Sequence, residues 1–508
     1  MHKTGITVFS LALVVLAGPA MADVRLPKVF TDHMVLQQQM PIHVWGWAES
    51  GESVTVGLAD KTASAEAGDD GRWQVELPAM DADGRPHTLT VKAANTIELK
   101  DVLLGELWIC AGQSNMNREV EIQEPLPQMR VFWIHGSTAP RQHDLGDNAM
   151  GWEPADPQRL AEVRKVRQKR FHPSHKGGFA EVGWVFGRRV HEQLKVPVGL
   201  IKSAFGGSQA RAWTPVPNIA EQFPFDQKVE GSYLGHKPGL LYQSMLHGLP
   251  PLSVRGVVWY QGENNGRDWN YDDELAAMIA SWRQRFKQPQ MPFYLAQIAQ
   301  TTYASGMERV WECQAKVAAT VPQVYLGASN DLWDGGGTQR DRIRPDAGKN
   351  NAPGTGWPIA GTSNPHPPNK HIVANRLADI ALAETYGVDL GREVFAPVYD
   401  SHRVEGDKIL VKFKHVGDGL KTDDGQPPNW LEISDGTRQQ DRDNAPLRYT
   451  KAQAKIVGKD TVEVRADDVK APKHVRLGWH PLARHNLYNS DGVPAINFRT
   501  DAQPTKKR

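Results

Sequence analysis

The amino-acid sequence predicts an α/β fold in which a parallel sheet, covered by helices on both faces, is flanked by two smaller β domains. Three observations support this. After Leu103, apolar runs alternate with amphipathic stretches, as strands and helices do in a doubly covered sheet. Before and after that region, short alternating segments are separated by turn residues, which is typical of antiparallel strands. A chain of 508 residues is also long enough for two or three domains.

Residues 1–22 have the features of a secretory signal peptide. Lys3 supplies the positive charge, "ITVFSLALVVLAG" the apolar region, and "AMA", ending at Ala22, the small residues of a cleavage site. A membrane anchor is the alternative, but the apolar stretch is shorter than the roughly 20 residues that a spanning helix needs. We therefore expect cleavage near Asp23 and a periplasmic or secreted protein that has no membrane contact afterwards.

The two β domains are predicted over residues 23–101 and 391–508. In the first, "PIHVWGWAESGESVTVGLA", "DDGRWQVELPA" and "HTLTVKAANTIELK" alternate apolar and polar positions, and Asp70–Gly71 is a tight-turn signal. In the second, "KILVKFKHV", "NWLEISDG" and "KHVRLGWHP" have the same character. Both domains are therefore expected to be built from short antiparallel strands.

The core, predicted over residues 102–390, contains the segments that carry chemistry. Helices are predicted in "VGWVFGRRVHEQLK", "DDELAAMIASWRQRFKQ" and "NKHIVANRLADIALAETYG", and buried strands in "VGLI", "VRGVVWY", "FYLAQIA" and "VYLGASND". Functional groups gather at the carboxyl ends of the strands in such a sheet. Those ends carry Ser114, the pair Gly206 and Gly207, the "QGENN" loop and Asp331.

The net charge gives no indication of a nucleic-acid partner. The net charge of +1 gives no electrostatic reason for a nucleic-acid partner, and the basic run Arg164–Arg170 is interpreted as a solvated face or loop.

Cys110 and Cys313, the two cysteines, permit one disulfide bond in an exported protein. A buried free thiol fits Cys110 equally well, because this cysteine lies in an apolar run.

A catalytic serine needs a base, an oxyanion hole and a group that holds the base in the right tautomer. Ser114 follows an apolar strand in "GELWICAGQSNMN", so it is either a nucleophile or a turn residue. His366 lies between two prolines in "NPHPPNK", where it is either a general base or a histidine that caps or packs. For the oxyanion hole, the glycine pair of "SAFGGSQARAW" admits close backbone approach and the "QGENN" loop supplies amide donors.

Four motifs, "GELWICAGQSNM", "VPVGLIKSAFGGSQARAW", "GVVWYQGENN" and "HPPNKHIVANRLA", occur in an order and context that resemble the sialate O-acetylesterases, a branch of the SGNH hydrolases. The resemblance extends to "LPKVFTDHMVLQQQMPIHVWGWAESGESVTV" and "VRLGWHPLARHNLYNSDGVPAINFRT", and so covers nearly all of the mature chain. It implies an SGNH-type three-layer α/β/α core and removal of O-acetyl groups from a sugar through an acyl-serine intermediate.

The resemblance also implies roles for individual residues. Ser114 is the nucleophile, and His366 is the general base and acid. The backbone N–H of Ser114 and that of Gly207, or of its neighbour Gly206, contribute to the oxyanion hole.

An amide of the "QGENN" loop completes the oxyanion hole. Asn265 is the better match to the family's asparagine because the usual string has serine where this chain has Asn264, and Gln261 is an equally plausible donor. Three further residues are predicted at the substrate: Glu263, which braces the loop, and Arg211 and Trp213, which either contact the sugar or pack at a helix start.

One departure from the family concerns the group that orients His366. SGNH hydrolases carry an aspartate three residues before the histidine, or two before it in many relatives, where this chain has Ser363 and Asn364. Either an amide or backbone carbonyl orients the imidazole of a Ser–His pair, or an acid from elsewhere does. The candidate acids are Asp331, Asp334 and Asp346. A site that has drifted to another ester or lost activity is the third alternative.

The sequence therefore predicts an exported serine esterase that removes O-acetyl groups from sialic acid or a related acetylated glycan. An acetylesterase for xylan or pectin-derived sugars is the alternative within this class, because the core motifs indicate acyl transfer but do not identify the sugar from which the acetyl group is removed. A non-catalytic carbohydrate-binding protein is the alternative from another class. The chemistry requires neither a metal nor an organic cofactor.

Overall fold

The computed structural model describes residues 23–136, 144–170, 178–216, 234–333, 357, 363–440 and 445–501. The predicted signal peptide and the candidate acids Asp334 and Asp346 lie outside the described residues. Within these ranges, no helix is long and apolar enough to cross a membrane.

The N-terminal region consists mainly of antiparallel strands. Its strands are β1 (Val35–Gln37), β2 (Ile42–Trp47), β3 (Ser53–Leu58), β4 (Lys61–Glu66), β5 (Arg72–Leu77), β6 (His87–Lys92) and the first part of β7 (Thr96–Gly112). Strand β2 pairs with β5, and β3 pairs with β4 and β6. Buried positions alternate with more exposed ones along β3 and β5, because these strands have one face on a core and the other toward solvent.

Strand β7 connects the N-terminal region with the core. Its first part pairs with β6 in antiparallel fashion, and its last part lies between two parallel neighbours in the central sheet. Burial varies along the strand up to Asp101, whereas every residue from Val102 to Gly112 is buried. The strand continues without a break through the predicted domain boundary between residues 101 and 102.

The core is built on a mostly parallel sheet. Its further strands are β8 (Glu119–Val120), β9 (Leu126–Ile134), β10 (Glu153–Ala155), β11 (Phe179–Ala180), β12 (Val198–Ala204), β13 (Gly256–Tyr260), β14 (Phe293–Ala296) and β15 (Val324–Gly327). The order across the sheet is β10-β9-β12-β7-β13-β14-β15, with β10 antiparallel to β9 and the other neighbours parallel. Strands β8 and β11 form a separate pair.

Helices cover both faces of this sheet. They are α1 (Ser114–Asn117), α2 (Pro157–Arg170), α3 (Glu181–Leu194), α4 (Leu240–Met245), α5 (Tyr271–Arg285), α6 (Met307–Thr320) and α7 (Lys370–Glu384). Side chains of α3 and α7 share one apolar cluster, and those of α5 and α6 share the other. The predicted three-layer α/β/α arrangement is thus confirmed.

The C-terminal region forms separate antiparallel sheets, as predicted. Its strands are β16 (Val398–Glu405), β17 (Lys408–Lys414), β18 (Leu420–Thr422), β19 (Leu431–Ser434), β20 (Thr450–Lys451), β21 (Gln453–Ile456), β22 (Thr461–Arg465), β23 (His474–Leu477), β24 (Leu487–Asn489) and β25 (Phe498–Arg499). The sheets have the orders β16-β17-β22-β21, β20-β19-β23-β25 and β18-β24. A buried cluster that includes Trp430 and Ile433 forms the core of this domain.

The structure tests two further expectations, one about the basic run of α2 and one about the two cysteines. The basic run Arg164–Arg170 is the last part of α2, and Arg167 is not solvated as expected but fully buried. Its guanidinium lies 4.6 Å from the ring centre of Trp133 and forms an ion pair with Glu119, which compensates the charge. Cys110 and Cys313 are both free, buried thiols, so the disulfide that they permitted is not formed.

Candidate active site

The turn after β7 presents Ser114 at the carboxyl edge of the sheet. Gly112 has a φ of +139°, and a Cβ on it would lie 2.2 Å from the carbonyl oxygen of Tyr260. Only glycine allows this approach of two strands. Helix α1 then begins at Ser114, and the side chains of Gln113 and Asn115 on either side are buried.

His366 lies in the loop before α7 and faces the nucleophile. Its Nε2 is 2.8 Å from the Ser114 Oγ, and its Nδ1 is 2.8 Å from the Asn364 Oδ1. The backbone N–H of His366 donates to the same Asn364 oxygen at 3.1 Å, which turns this oxygen, and not the amide nitrogen, toward the ring. The proton is thereby assigned to Nδ1, and Nε2 is left to accept from the Ser114 hydroxyl.

Glu263 holds the turn that contains Ser114. Its carboxylate accepts hydrogen bonds from the side chains of Gln113 and, at 2.6 Å, Asn115, so it holds both neighbours of Ser114. The Asn115 amide also donates to the carbonyl oxygen of Pro365 at 2.8 Å, which connects the turn with the histidine loop. Burial raises the pKa of Glu263 to about 7.

The glycine pair lies beside the nucleophile, as predicted from the motif order. A Cβ on Gly206 would be 3.7 Å from the Ser114 Cβ, and Gly207 has a φ of +66°, which favours glycine. The carbonyl oxygen of Gly207 accepts a hydrogen bond from the Asn264 Nδ2. The same amide nitrogen is 2.6 Å from the His236 Nε2, so Asn264 connects the glycine turn with a histidine that the sequence did not single out.

The two amides predicted as oxyanion donors are engaged inside the protein. The Asn265 Nδ2 donates to Asp268 at 2.8 Å and to Glu274 at 3.4 Å. The Gln261 Nε2 donates to the Ser208 carbonyl oxygen at 2.9 Å and to the Asn265 Oδ1. With two bonds from each amide nitrogen, the structure gives these side chains the role of supporting the loop. The backbone N–H groups of Ser114 and of Gly207, or of its neighbour Gly206, stay the predicted oxyanion donors.

The residues predicted to contact the sugar have other partners. Trp213 is completely buried, donates from its Nε1 to the Ser208 hydroxyl at 2.9 Å and packs edge-on against Trp259. The prediction that it stacks on a sugar is wrong, because the ring has no exposed face. Arg211 forms an ion pair with Asp268 at 3.1 Å, which is its packing alternative.

Asp331 lies in the segment that follows β15, and its described side-chain partner is Arg376 and not His366. Its two carboxylate oxygens each accept from the Arg376 guanidinium at 2.7 Å. Arg376 belongs to α7 and also donates to the Gly492 carbonyl oxygen at 3.4 Å. Asp331 therefore fastens α7 and the C-terminal domain, and Asn364 is the group found at the His366 Nδ1.

Sequence comparison points to one enzyme family. Residues 104–339 match the family model "Carbohydrate esterase, sialic acid-specific acetylesterase". The chain is 26% identical over 322 residues to the sialate O-acetylesterase of Rattus norvegicus, and 29% identical over 297 residues to that of Homo sapiens. Each match covers 52% of this chain and 56% or 53% of the relative. The chain therefore spans about half the length of the curated relatives that it matches.

A solved structure matches over a larger part of the molecule. It is that of a carbohydrate acetylesterase from Xanthomonas citri, with a TM-score of 0.77 and 28% identity. The match covers 94% of this chain and 100% of the other. The similarity thus includes the β regions on either side of the core.

Proposed function

Residues 104–339 match the carbohydrate esterase family of sialic acid-specific acetylesterases, and on this premise we propose that the protein hydrolyses O-acetyl esters of a glycan. The observation that carries the proposal is the chain of contacts from Ser114 through His366 to Asn364, with 2.8 Å at each step. A nucleophile, a base and a group that orients the base are the parts that acyl transfer requires.

The reaction follows from these positions. The Ser114 Oγ attacks the acetyl carbon while the His366 Nε2 takes the hydroxyl proton, and the negative charge develops on the former carbonyl oxygen. Backbone N–H groups of Ser114 and Gly207 stabilise this oxyanion. The imidazolium then returns the proton to the departing sugar hydroxyl, which leaves an acetyl-serine. Water, activated by His366 in the same way, releases acetate and restores Ser114.

Asn364 differs from a carboxylate in what it contributes. It orients the imidazole through one hydrogen bond but adds no negative charge to stabilise the imidazolium. We therefore propose a Ser–His pair oriented by an amide.

We propose the substrate first as a class of glycan and then as one sugar within that class. An acetylated glycan is the substrate class that the family supports, and O-acetylated sialic acid is our first candidate within it. Arg211 carries a charge that could bind the carboxylate of sialic acid, but it is held by Asp268 and Glu274 and gives this choice no support. Acetylated xylan or pectin-derived sugars are the alternative. From the sequence of residues 1–22, we also propose that the protein is exported to the periplasm or beyond.

The test compares hydrolysis of 4-nitrophenyl acetate by the wild type and by Ser114→Ala. We expect the variant to lose at least about 10³-fold in kcat. Equal rates would refute the esterase proposal, and sugar binding without acetate release would identify a carbohydrate-binding protein instead. Acetate release from O-acetylated sialic acid and from acetylated xylan then decides between the two sugars.

A further inference from the structure

Two aromatic side chains stand out among the exposed residues of the described chain. The large hydrophobic side chains that are exposed there are Val166, Val216, Trp269, Tyr303, Val404 and Val457. Of these, Trp269 is 41% exposed and Tyr303 is 49% exposed. The other large aromatic side chains of the described ranges are buried or half-buried, which removes their apolar area from water. An exposed pair of rings at a functional edge therefore suggests a binding surface.

Both rings lie at the edge of the sheet that carries the nucleophile. Strands β7, β13 and β14 are neighbours in the sheet and run parallel, so the segments that follow them leave at the same edge. Ser114 follows β7, Trp269 lies in the segment after β13, and Tyr303 lies in the segment after β14.

The segments after β13 and β14 touch each other next to these rings. A Cβ on Gly306 would lie 2.2 Å from the carbonyl oxygen of Gly266, so the two backbones are in direct contact. The Arg309 Nη2 donates to the same Gly266 oxygen at 2.8 Å. Trp269 is three residues after Gly266 and Tyr303 is three residues before Gly306, which places the two rings on adjoining parts of the surface.

The protein holds this surface in place. The Arg309 guanidinium lies over the Trp269 ring, 4.0 Å from its centre. The backbone N–H of Tyr303 donates to the Thr301 hydroxyl at 3.0 Å, and the backbone N–H of Thr301 donates to the Pro481 carbonyl oxygen at 2.9 Å. Rings that are fixed before binding lose little conformational entropy when a ligand packs on them.

The surface is close enough to Ser114 to contact the same glycan. Glu263 accepts hydrogen bonds from both neighbours of Ser114, and Trp269 is six residues further along the chain. Six residues span at most about 20 Å when fully extended, and a helical turn shortens this segment. Trp269 thus lies within reach of a glycan whose acetylated sugar is bound at Ser114.

We propose that Trp269 and Tyr303 form a subsite for a further sugar ring of the glycan, next to the sugar that carries the acetyl group. The apolar face of a pyranose, made of its C–H groups, packs on an aromatic ring, and the hydroxyl groups at its rim stay in water. This inference rests on the proposed esterase activity. It predicts that the enzyme prefers acetylated oligosaccharides to acetylated monosaccharides.

The experiment measures kcat/KM on substrates of different length. The probes are 4-nitrophenyl acetate, O-acetylated sialic acid, the same sugar within sialyllactose, O-acetylated xylose and O-acetylated xylotriose. The wild type is expected to prefer the longer member of the pair that it hydrolyses. Trp269→Ala and Tyr303→Ala are each expected to lower kcat/KM for that longer substrate about tenfold, mainly through KM, with 4-nitrophenyl acetate unchanged.

Two matched variants complete the design. Trp269→Phe keeps a ring and is expected to retain most of the preference for length, whereas Val457→Ala, an exposed change in the C-terminal domain, is expected to alter nothing. Equal losses on long and short substrates, or no loss on either, would overturn the subsite while the esterase proposal stands. A wild type without activity on 4-nitrophenyl acetate would overturn the esterase proposal itself.

Discussion

The two halves of the candidate active site are held in different ways. The nucleophile turn lies on the buried end of β7, and Glu263 holds both Gln113 and Asn115 within the core. The histidine loop is partly exposed, and the described group at the His366 Nδ1 is the nearby side chain of Asn364. The position of the nucleophile thus depends on distant parts of the chain, whereas the orientation of the base depends on a residue two positions away.

This difference explains how the orienting group can vary. Replacing an aspartate by Asn364 in a local loop changes one hydrogen bond to the imidazole and leaves the packing of the core unaffected. A change at Glu263 would instead remove the acceptor of two buried amides, which is costly. We therefore expect the histidine side to tolerate substitution of its orienting group better than the nucleophile side tolerates a change at Glu263.

The largest effect is expected from the base itself. His366→Ala removes the group that takes the Ser114 proton and should lower kcat at least about 10³-fold at pH 7. Steady-state rates on 4-nitrophenyl acetate measure this, with circular dichroism to check the fold. Loss of less than tenfold would mean that another residue is the base.

The next effect tests the nucleophile side. Glu263→Ala leaves the Gln113 amide without its acceptor and the Asn115 amide with the Pro365 carbonyl oxygen alone, so the position of Ser114 becomes less defined. We expect kcat to fall about 10²-fold and the free energy of unfolding to fall by about 2–4 kcal/mol. Urea unfolding and rates on the aryl acetate measure both. Unchanged activity would show that the hydrogen bonds from Gln113 and Asn115 to Glu263 do not position Ser114.

The buried Glu263 carboxyl also predicts a pH dependence of stability. Its pKa is raised by burial from 4.5 to about 7, so the folded protein holds this proton more tightly than the unfolded chain. The stabilisation is complete below pH 4.5 and is lost as the pH rises to about 7, by about 3 kcal/mol. Glu263→Gln should remove this loss. Glu274, whose pKa is also raised to about 7, is present in both proteins and cancels.

A smaller effect is expected on the histidine side. Asn364→Ala removes the acceptor of the Nδ1–H and should lower kcat about tenfold, because one neutral hydrogen bond is lost. Asn364→Asp keeps the shape, adds a charge that favours the imidazolium, and should match or exceed the wild type. A larger loss in the alanine variant than in Glu263→Ala would reverse the comparison between the two sides.

The smallest effect on rate is expected at Asp331. Asp331→Asn weakens the ion pair with Arg376, so we expect kcat to change less than about threefold and stability to fall by about 1–3 kcal/mol. Loss of all activity with the fold intact would show that Asp331 is the missing acid after all.

The sequence by itself determined the parts of this protein that depend on local pattern. The alternation of apolar runs and amphipathic stretches predicted the covered parallel sheet, and α7 has Val373, Leu377 and Ile380 on its buried face as its spacing indicates. Residue type and motif order also singled out Ser114 and His366, since few side chains can serve as nucleophile and base.

Only the tertiary structure decided which groups meet. Ser114 and His366 are 252 positions apart, and their 2.8 Å contact depends on how two strand ends and a loop are packed. The same packing buries Trp213, directs Asp331 to Arg376, and uses the Asn265 amide inside the loop. Hydrogen-bond partners and burial are properties of distant segments brought together, so residue spacing along the chain does not contain them.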